Sequence, residues 1–366
     1  MNIATAKINL KNLQHNINYL KSITNNSNIY PVIKANAYGH GLEKIAIALQ
    51  NYEIKGVCVA NINEIIQLLN LDVEYSILHL GKISYSNLDI YKNNNVIATI
   101  NSIDEITKLS SIYKNKDNKI IRVHIKVDTG MSRMGCNINE FEDILNKCID
   151  SPFLKIEGIY SHLANSDNKN TQYNNKQINL FNKIVNKFLK NNIFSIHLLN
   201  SGGLFNYNKY TYNVVRIGLA IYGVSPLGKT NNNLKPVMEF KAPLILKKCI
   251  SKGTMVGYGN SYQAEGDMDV AIIQCGYGDG IPFEYSNKGF VYYKKSKMPV
   301  IGRVSMDLIC IDITEVDINI GDYITLWGSI SIKETRLEYI AKYFNNIPYT
   351  FMIGITNRVK KRYVYE

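Results

Sequence analysis

Residues 31–41, with the sequence PVIKANAYGHG, combine amino-acid types at a spacing suited to chemistry. Lys34 stands where a short apolar strand is expected to end in a polar, glycine-containing loop. A lysine held there can be partly desolvated and lowered in pKa, as an amine that forms a Schiff base requires. Tyr38 carries a phenol that can reach a phosphate, and Gly39 and Gly41 permit tight backbone beside a bound group. Most single lysines are solvated surface charges, so its neighbours are what make Lys34 a functional candidate.

Further polar residues follow the predicted carboxyl ends of later strands. They are Lys126, Asp128 and Arg133 in KVDTGMSRMG, His162 in GIYSHLANSD, Asn200 and Ser201 in HLLNSGG, and Arg216 in VVRIGLAIYG. Any one of them alone is explained as an ordinary polar residue at a strand end. Their shared position indicates the catalytic rim of a parallel barrel, where the carboxyl ends of the strands meet.

Short apolar runs alternate with helix-like segments from about residue 28 to residue 220. This alternation predicts parallel strands joined by helical crossovers. About eight strands are expected when VIK at 32–34 is taken as the first, which favours an α/β fold with a (β/α)8 TIM-type barrel. An open doubly wound sheet is the alternative, but no GxGxxG opens the first helix, so a dinucleotide site is not expected.

The sequence pattern changes after about residue 236, where β-rich segments are separated by turns containing Gly, Asn and Asp. One helical interval is expected near ETRLEYIAKYF. We therefore predict a barrel domain over 1–235 and a mostly β domain over 236–366. The strand IATAKINL within the first residues is a candidate to pair with the β domain.

Composition narrows the class of protein. The chain has 366 residues, 46% hydrophobic and 20% charged, which is typical of a globular protein. It has no apolar run long enough to cross a bilayer, and MNIATAKINL lacks the pattern of a secretory leader, so we expect no membrane association and a cytoplasmic location. The six cysteines lack metal-ligand spacing, so neither a metal site nor a disulfide framework is expected.

The net charge of +12 makes nucleic acid the partner to consider outside enzymes. The lysines are spread along the whole chain, and only a short basic cluster, KKR at 360–362, stands near the end. Nucleic-acid binding proteins more often concentrate charge on one face or in a recognisable module, so no nucleic-acid partner is expected.

The sequence motifs around Lys34, Arg133 and Arg216, together with the β-rich segments after residue 236, resemble bacterial alanine racemases over essentially the full length of the chain. The resemblance implies that Lys34 binds pyridoxal 5′-phosphate covalently and that Arg216 faces the pyridine nitrogen, with His162 nearby. A guanidinium can donate to that nitrogen without protonating it, and the resulting weaker electron sink limits side reactions. The resemblance also implies the groups that hold the phosphate: Tyr38, Ser201, Tyr349 and the backbone around Gly218 and Leu219.

The same resemblance assigns three residues of the second domain. Tyr258, in MVGYGNSYQAE, matches the second catalytic residue, and Met306, in GRVSMDL, matches the residue whose backbone N–H meets the substrate carboxylate. Tyr277, in IQCGYGDG, matches a tyrosine of the substrate corridor. In the family these residues come from the other subunit, so the resemblance implies a homodimer with shared active sites.

The implied reaction is interconversion of L- and D-alanine, which supplies D-alanine for peptidoglycan. Racemisation removes the α-proton from one face of a planar carbon and returns a proton to the other, so two bases, Lys34 and Tyr258, are expected. The alternatives are a serine or broad-specificity racemase, a basic-amino-acid decarboxylase of the related barrel family, and a pyridoxal-phosphate carrier without turnover.

Lys126 precedes Arg133 by seven residues. The resemblance matches it to a lysine that is carbamylated in some members, and it matches Arg133 to the arginine that faces cofactor and substrate. A carbamate would convert the cation into an anion that accepts from Arg133. The alternative is an unmodified Lys126 paired with a carboxylate such as Asp128.

Overall fold

The computed structural model describes residues 3–113, 119–188 and 195–366. The chain forms two compact units. We call the first the barrel unit, formed by Ile17–Ala37 and Leu42–Ile221, and the second the β unit, formed by Met1–Asn16, Tyr38–Gly41 and Tyr222–Glu366.

Strands and helices alternate through the first part of the chain. The elements are, in order, β1 (Thr5–Asn9), α1 (Leu10–Ser22), β2 (Asn28–Pro31), α2 (Lys34–Tyr38), α3 (Leu42–Gln50), β3 (Gly56–Val59), α4 (Ile62–Leu69), β4 (Ser76–His79), β5 (Val96–Ile100), α5 (Ile103–Tyr113), β6 (Ile121–Lys126), α6 (Phe141–Ile149), β7 (Leu154–Tyr160), α7 (Gln172–Phe188), β8 (Ser195–His197), α8 (Ser201–Tyr207) and β9 (Val214–Ile217). A 3₁₀ helix over Tyr85–Lys92 connects β4 to β5.

All strands of the barrel unit pair in parallel. Strands β3 to β8 form one ladder in chain order, and β2 pairs with β9. The two groups are joined on one side by the Ile33 N–H, which donates to the carbonyl of Cys58 at 2.9 Å. On the other side, the Arg216 N–H donates to the carbonyl of Leu199 at 3.0 Å. The strands therefore close into the predicted eight-stranded barrel.

The barrel strands are short and apolar because both of their faces are covered. Every residue of β3 and of β5 is buried, and the strands are built largely from Val, Ile and Ala. Parallel strands covered by helices on one side and by the barrel interior on the other lose the polar alternation of half-exposed strands.

The first barrel strand lies earlier than the predicted VIK at 32–34. Strand β2 ends at Pro31, and Val32 follows it with a bridge to Cys58 and an N–H that donates to the carbonyl of Ile217 at 2.8 Å. Lys34 is consequently the first residue of α2 rather than the last residue of a strand.

The β unit contains the remaining elements. They are β10 (Met238–Ile250), β11 (Met255–Val256), β12 (Tyr262–Gln263), β13 (Met268–Ile273), β14 (Phe290–Tyr293), β15 (Ser296–Ile301), β16 (Ile309–Asp312), β17 (Tyr323–Trp327), α9 (Leu337–Tyr343), α10 (Pro348–Gly354) and β18 (Lys360–Val364). Helix α9 lies within the predicted helical interval, whereas α10 begins at Pro348, in a segment for which the sequence pattern predicts no helix.

Eight strands form the main sheet, in the order β13-β16-β15-β14-β17-β10-β1-β18. Strand β10 pairs with β17 up to Pro243 and with β13 from Leu244 onward, and a register shift between Leu244 and Leu246 lies within the pairing to β13. This second pairing closes the strands from β13 to β10 into a ring. Strand β1 extends the sheet, antiparallel to β10 and parallel to β18. A (β/α)8 barrel followed by a mostly β region is thus confirmed as the fold class. Within the described residues, no helix is both long and apolar enough to span a membrane.

Candidate active site

Lys34 begins a turn with unusual backbone geometry. The φ angles of Ala35, Asn36, Ala37 and Tyr38 are 51°, 55°, 52° and 52°, so α2 is a left-handed turn. For residues with a Cβ this conformation costs roughly 1–2 kcal/mol each and persists only where surrounding contacts enforce it. Strain of this kind is concentrated at functional sites, which supports a special role for this segment.

Three hydrogen bonds hold the turn within the barrel unit. The Ala37 N–H donates to the carbonyl of Ile33 at 2.9 Å, and the Leu42 N–H donates to Oδ1 of Asn36 at 2.8 Å. The Ala35 N–H donates to Oε1 of Glu64 at 2.7 Å. The Lys34 side chain is partly buried, and burial together with the nearby Arg133 guanidinium lowers its pKa. The amine is therefore easier to deprotonate than a surface lysine, as the sequence predicts.

Lys126 ends β6 and lies in the same cationic region as Lys34. Burial lowers its pKa to about 8, with further lowering by Arg216 and Arg133. Its Nζ lies 5.6 Å from the centre of the Tyr160 ring. The neighbouring Asp128 uses Oδ1 to accept backbone N–H groups of the loop that follows, including that of Gly130 at 2.8 Å. Asp128 thus shapes the loop that leads to Arg133, whose side chain is exposed.

Arg216 lies inside β9 and is almost fully buried. Its NH2 donates to the carbonyl of Ser161 at 2.8 Å and to Nδ1 of His162 at 3.1 Å. Its NH1 donates to Nδ1 of His197 at 2.6 Å. Burial and then the Arg216 charge hold the pKa of His162 well below its ordinary value, so His162 is neutral and can accept from the guanidinium.

His197 is a site residue that the sequence reasoning did not include. Its ring stacks on Tyr160 with centroids 4.7 Å apart, and its Nε2 lies 2.9 Å from Nδ1 of His124. The available signal was a histidine in SIHLLN one strand before Arg216. A single histidine in a buried strand is usually structural, so that signal is weak without the contact to Arg216.

Ser201 and the segment from Gly218 to Leu219 are also brought together. Ser201 begins α8, and its Oγ accepts from the backbone N–H of Ala220 at 3.3 Å. The Ile221 N–H donates to the carbonyl of Gly218 at 3.1 Å and closes the turn after β9. This turn follows the last barrel strand, the position at which such barrels commonly bind phosphate.

The donor set of the barrel unit fits an anionic ligand. Lys34, Lys126, Arg133 and Arg216 all act electrostatically on the buried His162. Cations grouped in a partly buried region repel one another, and a bound anion relieves that repulsion. A phosphate with a substrate carboxylate, as in the implied cofactor and substrate, supplies the complementary charge.

Tyr38 and Tyr349 lie together in the β unit. Their ring centroids are 5.6 Å apart, and Tyr38 also lies 5.0 Å from the Tyr222 ring. Gly39 has a φ of 80°, and a Cβ there would collide with the carbonyl oxygen of Met352. The absence of a side chain at Gly39 therefore lets the segment with Tyr38 approach α10, which carries Tyr349.

Tyr258, Tyr277 and Met306 lie on exposed parts of the β unit, with 70%, 46% and 52% of their surface exposed. The Tyr277 N–H donates to the carbonyl of Ser305 at 3.0 Å, so the segments with Tyr277 and Met306 are neighbours. Arg358 forms ion pairs with both segments. Its NH2 lies 2.5 Å from Oδ1 of Asp307, and its Nε lies 3.3 Å from Oδ1 of Asp279.

Comparison with known proteins gives one family over nearly the whole chain. Residues 8–226 match the family described as alanine racemase, N-terminal domain, and residues 237–363 match alanine racemase, C-terminal domain. The alanine racemase of Vesicomyosocius okutanii is 33% identical over 347 residues, with 95% of each chain covered. That of Mannheimia succiniciproducens is 32% identical over 368 residues, with 100% of each chain covered.

A solved structure agrees with these relatives. The crystal structure of alanine racemase from Bartonella henselae, with covalently bound pyridoxal phosphate, superposes with a TM-score of 0.89 at 32% identity and covers 99% of both chains. The resemblance drawn from the sequence motifs is confirmed, and the chain belongs to the alanine racemase family.

Proposed function

We propose that this protein interconverts L-alanine and D-alanine with pyridoxal 5′-phosphate as its cofactor. The observation that carries the proposal is the left-handed turn that starts at Lys34, in a chain whose relatives along its full length are alanine racemases. The cationic donor set around His162 supports binding of an anionic cofactor. Serine racemisation and decarboxylation are not favoured, because the full-length relatives are alanine racemases.

Pyridoxal phosphate, when bound, supplies the electron sink that makes the α-proton of an attached amino acid removable. In our proposal Lys34 holds it covalently and Arg216 donates to its pyridine nitrogen. The phosphate is held by Tyr38, Ser201 and Tyr349, and by the backbone at Gly218 and Leu219. This role of Arg216 is supported by its fixed contacts to His162 and His197 and by a guanidinium's inability to release a proton at ordinary pH.

Lys34 and Tyr258 act as the two bases, one on each face of the α-carbon. The lowered pKa of Lys34, caused by burial and Arg133, favours the neutral amine that a base requires. Arg133 and the backbone N–H of Met306 bind the substrate carboxylate. This division of roles requires Tyr258 to reach a substrate with its phenol oxygen, and the exposure of its side chain is compatible with that.

We further propose a homodimer in which Tyr258, Tyr277 and Met306 complete the site of the other subunit. Exposed apolar groups on one region of the β unit support this arrangement, since Met306 and Leu308 have 52% and 39% of their surface exposed. Exposed apolar side chains that lie together commonly mark protein–protein contacts.

Lys126 is proposed to carry a carbamate. Only a neutral amine reacts with carbon dioxide, and a pKa of about 8, lowered mainly by burial, provides that form near neutral pH. The negative charge of a carbamate would offset Arg133 and Arg216.

The division of the sequence into a barrel domain over 1–235 and a mostly β domain over 236–366 remains our proposal, with strand β1 of the first domain paired to strands of the second. The proposed biological role is the supply of D-alanine for peptidoglycan. A cytoplasmic location is proposed because Cys58, Cys136, Cys148 and Cys275 are buried free thiols, which fit a reducing compartment.

The function is tested with purified protein and L-alanine. We expect loss of optical rotation, and reduction with borohydride should attach the cofactor to the peptide that contains Lys34. Lys34→Ala should lose the trapped adduct and nearly all turnover, whereas Lys44→Ala, at an exposed lysine on α3, should retain both. Retention of adduct and turnover in Lys34→Ala would contradict the proposal.

A further inference from the structure

A buried carboxylate contacts the left-handed turn that presents Lys34. Glu64 lies in the first turn of α4 and is 7% exposed. Its Oε1 accepts from the Ala35 N–H at 2.7 Å, and Ala35 is the first left-handed residue after Lys34. The carboxylate therefore contacts the backbone at the point where the strained geometry begins.

The other carboxylate oxygen of Glu64 is fixed by the loop between β3 and α4. Oε2 accepts from the Ala60 N–H at 2.8 Å and from the Asn61 N–H at 3.3 Å. In return, Oδ1 of Asn61 accepts from the Glu64 N–H at 3.0 Å, which completes a capping box at the start of α4. Glu64 is thus held rigidly from one side and presents its second oxygen to the lysine turn.

This arrangement exceeds what helix capping requires. A capping box needs the glutamate to reach only the N-cap N–H, which Oε2 satisfies without Oε1. The bond from Ala35 joins two consecutive strand-to-helix connections of the barrel. Consecutive left-handed residues with a Cβ do not persist without such contacts.

We propose that Glu64 is a positioning residue of the racemase, in which one carboxylate tethers the turn after Lys34 to the capped end of α4. The inference rests on the proposed role of Lys34 as the amine that binds the cofactor. Glu64 acts through the Ala35 backbone and through its charge, and it takes no part in proton transfer.

The charge of Glu64 supports the same role. Burial and Arg133 lower the pKa of Lys34, while the carboxylate of Glu64 and the Cys58 side chain raise it. Lys34 in turn acts on Lys126 and His162. Glu64 consequently limits how far the pKa of the Lys34 amine is lowered. Its removal should lower the pKa of Lys34.

The chain offers a matched control in Glu105. This residue is 3% exposed, lies in the first turn of α5, and accepts from the Asn101 N–H at 2.7 Å through Oε2. Its own N–H donates to Oγ of Ser102 at 3.3 Å, so Glu105 is also a buried carboxylate tied to the segment that precedes its helix. Glu105 is not one of the groups that act on Lys34 among the described residues. Glu105→Gln therefore reproduces the loss of a buried carboxylate without the tether.

The test uses the full-length chain and two measurements that do not require turnover. The first is hydrogen exchange of the peptide that contains Ala35. Glu64→Gln should speed its exchange about tenfold or more relative to Glu105→Gln, because local opening of the turn becomes easier. Equal exchange in the two variants would overturn the tether.

The second measurement is trace acetylation of Lys34 as a function of pH, after removal of bound cofactor. Glu64→Gln should move the midpoint of Lys34 labelling to lower pH, and Glu105→Gln should leave it at the wild-type position. If Glu64 only capped its helix, the midpoint of Lys34 labelling would be the same in Glu64→Gln and in Glu105→Gln. That result would overturn the proposal.

Glu64→Asp provides a second variant that keeps the charge and shortens the reach. Glu64→Asp should speed hydrogen exchange at Ala35, with a smaller change in the midpoint of Lys34 labelling than Glu64→Gln causes. If Glu64→Gln does not fold, the same two measurements are made on Glu64→Asp. Wild-type exchange at Ala35 in Glu64→Asp would count against the tether. Failure of the wild type to form a borohydride-trapped adduct at Lys34 would instead contradict the proposed function, so the two failures are distinguishable.

Discussion

The guanidinium of Arg216 donates from NH1 to Nδ1 of His197 at 2.6 Å, and this bond fixes the proton positions along a buried chain. Because Nδ1 accepts, the neutral ring of His197 carries its proton on Nε2. That N–H donates to Nδ1 of His124 at 2.9 Å. The Arg216 guanidinium is thus oriented by a neutral acceptor, the His197 ring.

His197→Phe should destabilise the fold more than His124→Phe. Phenylalanine at position 197 retains an aromatic ring that can stack on Tyr160, but it leaves the Arg216 NH1 without its ring acceptor. Losing a hydrogen bond to a buried charged group costs about 1.5–3 kcal/mol. His124→Phe removes an acceptor only from the neutral His197, for which about 1 kcal/mol is expected. Urea unfolding measures both, and equal losses would contradict the orienting role of His197.

Stability should fall as the pH is lowered from 6.5 to 5. Burial lowers the pKa of His124 to about 3 and holds those of His162 and His197 well below the ordinary value. Below pH 6.5 the unfolded chain therefore binds protons that the folded chain does not. Each histidine then contributes a loss that approaches about 1.4 kcal/mol per pH unit. Free energies of unfolding across this range should show a shallower slope in His124→Phe than in the wild type, and an unchanged slope would contradict the assignment.

The sequence alone was sufficient to predict the barrel, because alternating apolar strands and helices restrict the chain to few topologies. It also identified Lys34, since the surrounding residues carry a local motif. It did not reveal the left-handed backbone from Ala35 onward, because nothing in alanine requires a positive φ. The turn is held by several contacts, and one of them, the bond from Ala35 to Glu64, joins residues that are distant in the sequence. His197 was missed for the same reason, since its importance comes from Arg216 on the next strand.

Lys126 should incorporate labelled carbon dioxide. Burial and the neighbouring arginines lower its pKa to about 8, so the reactive neutral amine becomes more abundant as the pH rises through that value. A carbamate resonance from labelled bicarbonate is expected at pH 8, weaker at pH 6. Lys126→Gln should lose it, whereas Lys155→Gln, at an exposed lysine paired with Glu157, should retain it. A fully active enzyme whose density shows a bare Lys126 amine would contradict the carbamate.

Tyr349 should restrict the substrate to alanine. Its ring packs near Tyr38, with centroids 5.6 Å apart, and we propose that this bulk narrows the pocket. Wild-type enzyme should therefore have a higher kcat/KM for alanine than for serine, by about tenfold or more. Tyr349→Ala should reduce that ratio, while Tyr339→Ala, at an exposed tyrosine of α9, should leave it unchanged. Equal wild-type turnover of serine and alanine would remove this role of Tyr349.

Tyr258 and Lys34 should serve opposite enantiomers. Tyr258→Phe removes only the phenol oxygen, so abstraction of the α-proton from L-alanine should be impaired far more than abstraction from D-alanine. The remaining Lys34-dependent half-reaction should be measurable as exchange of the α-hydrogen of D-alanine with solvent deuterium. Equal loss of exchange from both enantiomers would overturn the assignment of the two faces.

The proposed shared site makes a separate prediction for mixed dimers. Lys34→Ala and Tyr258→Phe chains should each be unable to racemise alanine alone. In a mixed dimer, one site combines the intact Lys34 of one chain with the intact Tyr258 of the other. Mixing after reversible dissociation should therefore restore racemisation. The control is Lys34→Ala mixed with a chain carrying both substitutions, which contains no intact pair and should stay inactive. If mixed dimers form, as mass spectrometry can establish, and racemisation is not restored, then Lys34 and Tyr258 belong to one subunit's site and the shared-site arrangement is wrong.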